Sequence, residues 1–348
     1  MLVLQDCRHG LARLGDGTLD AVITDPPYCL ASLGDDWDSD GAAKTTRNSV
    51  IGHLPGGMAF RPEQSREVQE LIYSVAEAAY AKLKPGGWFL AFSAPRLIHR
   101  MATGIEEAGF DIRDQWAWLY RQSRPKGMSL KRFMSRLDFT GWTQAQIDKL
   151  SRDLDSWKTP QIKCVGEPIV VAQKPRDGSY MENWLRHGVG LLCFDAKLAH
   201  EATPSSFVAL PDEDDGELPL SGIVEVPKPV RKYRNADEQL CKIAHLSPKP
   251  LAMMEHLIRL TVPKGGTVCD PFTGSGSTGL AALSCGRNFV GFEREKPYFD
   301  LAVDRFRGEF IDENLSFRSV RGQKGVWATD NALARRLLES STPEKIAA

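Results

Sequence analysis

Short β-type runs alternate with helical patterns over most of this chain, and that alternation constrains its fold more than any other feature. "MLVLQ" and "LDAVIT" read as strands, Val68, Leu71, Ile72, Val75 and Ala79 fall at helical spacing, and "GGWFLAFS" is a strand again. Residues 95–109 read as a helix, then "DQWAWLY" and "EPIVVAQ" as strands. The pattern resumes with helix "PLAMMEHLIRL", strand "GGTVCD", helix "TGLAALSC", strand "NFVGFE" and helix "KPYFDLAVDRF". Such a succession predicts an α/β fold, a mostly parallel sheet with helices on its faces. "LKPGG", Leu83 to Gly87, predicts a stop between a helix and the strand after it.

The middle of the chain, roughly 121–166 and 176–244, breaks this periodicity and is rich in proline, charge and tryptophan, so substrate recognition is expected there. "DEDDGE" at 212–217 reads as a solvated acidic loop, and the tail after 311 is weakly patterned. With 348 residues and 42% hydrophobic content the chain can bury a substantial core. It has no apolar run of about 18 residues, and "MLVLQDCRHG" has neither a basic leader nor a long apolar core, so a soluble, cytoplasmic protein is expected. Seven scattered cysteines without a CxxC pair predict reduced thiols and no metal site. A net charge of −1 means that nucleic acid could be held only by local basic patches.

After the strand "GGTVCD" comes "DPFTGSGSTGLAAL", where Gly274, Gly276 and Gly279 fit GxGxxG and Glu293 ends the next strand. A P-loop is excluded, because Leu280 follows Gly279 where a phosphate-binding lysine would stand. A pyrophosphate avoids a nearby anion, yet Asp270 sits beside the glycines. Carboxylates around a glycine turn suit S-adenosylmethionine, whose sulfonium and ammonium are cationic, and Glu293 can accept from both ribose hydroxyls.

The stretch "VITDPPYC" offers a second site. Pro26 and Pro27 have no N–H and a fixed φ, so with Asp25 they form a stiff loop that accepts hydrogen bonds and donates none. An exocyclic amino group would donate to Asp25 and to the Pro26 carbonyl, with Tyr28 stacked on the base ring. Such a pocket cannot reach into a duplex, so the base must be flipped out. In-line methyl transfer without a covalent enzyme intermediate follows. Cytosine C5 chemistry needs a cysteine nucleophile, normally behind a proline, and no Pro-Cys pair occurs; Cys29 reads as a small packing residue.

The stretches "LQDC", "LDAVITDPPY", "LKPGG", "HLSPKPLAMMEHLI", "CDPFTGSGSTGLAAL" and "FVGFERE", in this order, resemble the amino-group DNA methyltransferases of the permuted, beta-type order, over most of the chain. The resemblance implies a seven-stranded Rossmann-like methyltransferase sheet with an inserted target-recognition region. It places cofactor contacts at Asp6, Asp25, Lys249, Asp270, Phe272, Gly274, Ser275, Gly276 and Glu293, with Cys7, Ser247 and Thr278 beside them. Pro248 departs from the family's usual HPTQKP, which alters the turn before Lys249. The resemblance also implies adenine N6 as the target, since N4-cytosine relatives usually have serine in place of Asp25, and a mobile loop around Trp37 and Asp38. Duplex DNA, a second copy of the chain and a companion restriction endonuclease are the partners it brings.

On that scheme residues 1–120 form the catalytic half, 121–166 a basic insertion, 167–175 a sheet strand, 176–244 the target-recognition region, 245–310 the cofactor-binding half and 311–348 a tail. "RQSRPKGMSLKRFMSR" contributes Arg121, Arg124, Lys126, Lys131, Arg132 and Arg136 with no acid, and "KPVRKYR" adds Lys228, Arg231, Lys232 and Arg234. Both are expected to meet phosphates. Three rivals stay open on sequence: an N4-cytosine enzyme, an NAD-type oxidoreductase using the glycine turn, and a non-catalytic DNA-binding regulator.

Overall fold

The computed structural model describes residues 1–27, 62–120, 129–158, 165–196, 203–208, 248–309, 318–319 and 325–328. Its first part runs β1 (Leu2–Leu4), α1 (Cys7–Ala12), β2 (Leu19–Thr24), α2 (Pro62–Tyr80), β3 (Leu83–Phe92), α3 (Ile98–Glu107) and β4 (Asp111–Leu119). A segment with α4 (Gln144–Asp153) leads to β5 (Gly166–Gln173), α5 (Tyr180–His187) and β6 (Phe207–Val208). The last part holds α6 (Leu251–Thr261), β7 (Thr267–Asp270), α7 (Ser277–Ser284), β8 (Asn288–Glu293), α8 (Lys296–Glu309), β9 (Arg318–Ser319) and β10 (Val326–Ala328).

All the described strands join one sheet in the order β6-β4-β5-β3-β2-β7-β8-β1-β10-β9. Its centre is the expected run of seven, β4 through β1; the short β6, β10 and β9 extend its edges. Neighbours from β3 through β2, β7 and β8 to β1 are parallel, whereas β5 runs antiparallel to both β3 and β4. The tail therefore contributes to the sheet, since β10 pairs with β1 and β9 with β10.

Alternation along the strands divides the core between two faces. Trp88, Leu90 and Phe92 pack with α6, α7 and α8 residues such as Leu257, Leu280 and Phe306. Phe89 and Ala91 point the other way, onto Leu11 of α1, Val68, Ile72 and Val75 of α2, and Met101 and Ile105 of α3. The helix following β2 thus covers one face and the helix following β7 the other. The crevice between the ends of β2 and β7 is a switch point of the kind that binds ligands in open α/β sheets.

The "LKPGG" stretch corrects the sequence expectation. It lies inside β3, as a bulge: Leu19 pairs with Leu83, but Ala21 pairs with Trp88. Side chains from elsewhere hold it, because Asn183 of α5 donates to the Pro85 carbonyl (3.0 Å) and Gln173 of β5 to the Gly86 carbonyl (3.0 Å). The first helix after β5 therefore packs back on the sheet.

The segment between β4 and β5 closes on itself through a bridge between Ser129 and Lys158. Helix α4 starts at a capping box made by Thr143 and Gln146, and buries none of its residues. Trp142 and Trp157 are exposed on this segment.

Candidate active site

Four of the sequence-predicted acids stand in one row, because each lies at or just beyond the carboxyl end of a parallel strand. Asp25 follows β2, Asp270 ends β7, Glu293 ends β8 and Asp6 follows β1 by two positions, and those strands are neighbours in that order. Residues remote in the chain converge here through strand pairing alone.

Asp270 ties the two sides of the switch point together. It is 2% exposed; Thr24 and the Phe272 N–H donate to its Oδ1 (2.7 and 3.1 Å), and Thr278 donates to its Oδ2 (2.5 Å). Burial pushes its carboxyl up from 3.8 to about 6, against the hydrogen bonds from Thr278, Thr24 and Phe272. Its contacts are thus internal: it braces the end of β2 against the glycine turn.

That turn has the geometry its glycines predict. Gly276 stands at φ 85° before α7, in the left-handed region that favours glycine. A Cβ on Gly279 would lie 2.6 Å from Phe289 and closer still to Phe306, so α7 reaches its place over β8 only without a side chain there. Gly274 donates its N–H to Glu293 Oε2 (2.8 Å), and Glu295 donates to Oε1 (2.9 Å). The Arg294 N–H also faces this carboxylate, so three backbone donors meet its roughly four lone-pair sites. Burial raises the Glu293 carboxyl above its usual range, with the backbone donors working against that shift. Ser275 is buried, and Arg305 of α8 donates to its carbonyl (2.5 Å). Phe272 packs partly buried on the α2 and α3 face.

Asp6 caps α1, accepting from the Arg8 N–H (3.0 Å) and pairing with its guanidinium (2.9 Å), and the Arg8 hydrogen bond holds the carboxyl below its ordinary value. Cys7 packs its thiol in the core, where burial pushes it up to about 12.

At the mouth of β2, Pro26 is buried and Pro27 exposed. Lys249, directly before the N-terminal end of α6, reaches across and donates to Asp25 Oδ2. It also pairs with Glu167 Oε2 (3.2 Å), and its ammonium lies over the rings of Phe92 (4.9 Å) and Trp118 (5.9 Å). Burial pulls the lysine down, but Asp25 and Glu167 together outweigh it and hold Lys249 above its ordinary value, as an ammonium.

Glu167 and Thr24 are the site residues that sequence reasoning missed. "EPIVVAQ" read only as a strand, although a glutamate heading an otherwise apolar run is a signal of its own. Tyr28, Ser247, Arg121, Arg124, Lys126, Lys228, Arg231, Lys232 and Arg234 lie outside the described residues, as do Trp37, Asp38 and the acidic loop. Arg132 and Arg136 sit on a 3-10 segment, Leu130–Arg136. Lys131 of that segment pairs with Asp155 (3.1 Å), an acid supplied from beyond α4.

Among the described residues no group of His, Cys, Asp and Glu could hold a metal ion, and no helix is long and apolar enough to cross a membrane.

Known proteins share this architecture. The chain is 26% identical over 326 residues to the type II methyltransferase M.HindIII of Haemophilus influenzae, covering 88% of this chain and 94% of that one. It is 22% identical over 309 residues to M2.DpnII of Streptococcus pneumoniae, covering 89% and 90%. The solved structure of the cytosine-N4-specific PvuII DNA methyltransferase has the same fold, at a TM-score of 0.52 and 19% identity over 90% of this chain and 87% of that one. Residues 19–304 match the DNA methylase family, N6_N4_Mtase, and the chain belongs to this family of S-adenosylmethionine-dependent DNA methyltransferases.

Proposed function

We propose that this methyltransferase acts on N6 of adenine, at specific sites in duplex DNA, on a base turned out of the helix. The observation that carries the reading is the mouth of β2, where Asp25 and two prolines without N–H groups follow the strand at the switch point. The Asp25 carboxylate and the two prolines offer acceptors and no N–H of their own beyond the Asp25 backbone, which matches an amino group carrying two N–H donors. Asp25 takes one of them and the Pro26 carbonyl the other. An arylamine nitrogen gains nucleophilicity as it leaves the ring plane, and two acceptors placed for that geometry favour the transition state over the ground state. Tyr28 is assigned the stacking role beneath the base, which offsets part of the few kcal/mol that flipping costs.

The donor set of the row fits S-adenosylmethionine. Its members are carboxylates, suited to a cationic ligand, and Glu293, with three backbone donors against roughly four lone-pair sites, keeps room for a ribose hydroxyl. Asp6, Glu293, Phe272 and the turn from Gly274 to Thr278 would hold it, and when bound it supplies an electrophilic methyl group. Asp270 acts on this site through Thr24 and Thr278. Lys249 keeps Asp25 in place at the rim.

The chain order, with the Asp25 strand ahead of the glycine-turn strand, is read as the permuted order, and 121–166 and 176–244 as the DNA-contacting and target-recognition regions. The basic residues of 121–136 and 228–234 are assigned to phosphates. A second copy of the chain and a companion endonuclease complete the proposed partners.

The test is direct. The protein is incubated with unmethylated mixed-sequence duplex DNA and labelled methyl donor, the DNA is digested, and the methylated nucleoside is identified, with Asp25→Ala as control. N6-methyladenine and no transfer by the variant are expected. N4-methylcytosine would overturn the adenine assignment, and no transfer by the wild type would favour the regulator.

A further inference from the structure

We propose that Glu167 is a positioning residue for methyl transfer: it is the second seat of the Lys249 ammonium, and by holding that ammonium it frees the Asp25 carboxylate for the target amine. The inference rests on the reading of Asp25 as the amino-group acceptor.

The topology explains why a residue so far along the chain reaches this place. Strand β5 runs against β3 and β4, so its first residues lie at the edge where the parallel strands end. Phe92, the last residue of β3, pairs with Ile169, and Trp118 near the end of β4 pairs with Glu167. The one reversed strand of the central seven therefore delivers its leading acid to the reaction edge.

Lys249 is 8% exposed, and its ammonium is enclosed by two carboxylates and two aromatic faces. A lysine paired with Asp25 alone would compete with the incoming amine for the same acceptor. Withdrawing it would then strand a buried ammonium. With Glu167 at 3.2 Å, the ammonium keeps a carboxylate partner and both ring faces while Asp25 turns to the amine.

Glu167→Gln, equal in shape and uncharged, and Glu167→Asp, charged on a shorter arm, separate this role from a structural one. Single-turnover methyl transfer to unmethylated duplex DNA, affinity for DNA, affinity for the methyl donor and thermal unfolding are measured for each. Glu167→Gln is expected to slow transfer on the order of 100-fold, the scale of a reacting group misplaced by about 1 Å, with both affinities retained. Glu167→Asp is expected to recover part of that rate. Transfer by Glu167→Gln at the wild-type rate would overturn the inference. So would a loss that appears in both affinities and in unfolding and that Glu167→Asp does not restore, since Glu167 would then serve the fold. A wild type that transfers no methyl to DNA would instead sink the reading of Asp25, and this inference with it.

Discussion

Asp270 carries a conflict between burial and function in a single side chain. Its carboxyl is held near 6 by burial, above the ordinary 3.8, although three donors face it. Between those two values the folded protein binds more of this proton than the unfolded chain does, so the contribution is fully present below the lower value and is lost as pH rises through about 6. The shift corresponds to about 3 kcal/mol at roughly 1.4 kcal/mol per pH unit. Denaturant unfolding of wild type and Asp270→Asn across this window should show a stability decline toward neutral pH in the wild type that the variant lacks. Equal slopes would remove Asp270 as its source. In the sequence this residue was legible as a site carboxylate, and its partner Thr278 lay eight positions away; Thr24, 246 positions away, had no local signal. Glu167 left a signal at the head of an apolar run but not its meaning, because a glutamate at a strand's head looks solvated until Lys249 closes over it.

At the scale of elements, the turn and helix after β7 depend on a missing side chain. Gly279→Ala would drive a methyl group into Phe306 and Phe289, both buried, and overpacking of this kind costs about 1–3 kcal/mol. A lowered denaturation midpoint with unchanged m-value is expected, and an unchanged midpoint would mean that α7 can ride outward freely. Strong periodicity made the long elements readable: β2, α2, β4, β5, α6 and β8 stand where the apolar pattern placed them. The "LKPGG" bulge was not readable as part of β3, because its hydrogen-bond partners, Asn183 and Gln173, come from α5 and β5. Strands β9 and β10 span two and three residues, too short to display a period of two, so only the pairing of β10 with β1 and of β9 with β10 reveals them.

For the whole molecule, a net charge of −1 leaves DNA attraction to local patches. Neutralising Arg124 and Lys126 together should weaken DNA binding and flatten its logarithmic salt dependence by about 2, near one unit for each phosphate left without its cation. A salt slope equal to that of the wild type would take this stretch out of the interface. On the proposed reading those patches would work against the reaction edge itself, where Asp25, Asp270, Glu293 and Asp6 stand side by side, Asp25 and Asp6 already paired with Lys249 and Arg8 and the other two not offset by those cations. Toward a polyanion that edge is a sieve. Phosphates brought within a screening length, about 8 Å at physiological salt, are repelled, whereas an uncharged base is not. On the proposed reading, the same acids that would seat a cation would also hold the duplex at arm's length and admit only the part of a nucleotide that carries no charge, which would make extrusion of the base a condition of entry and not merely a matter of reach.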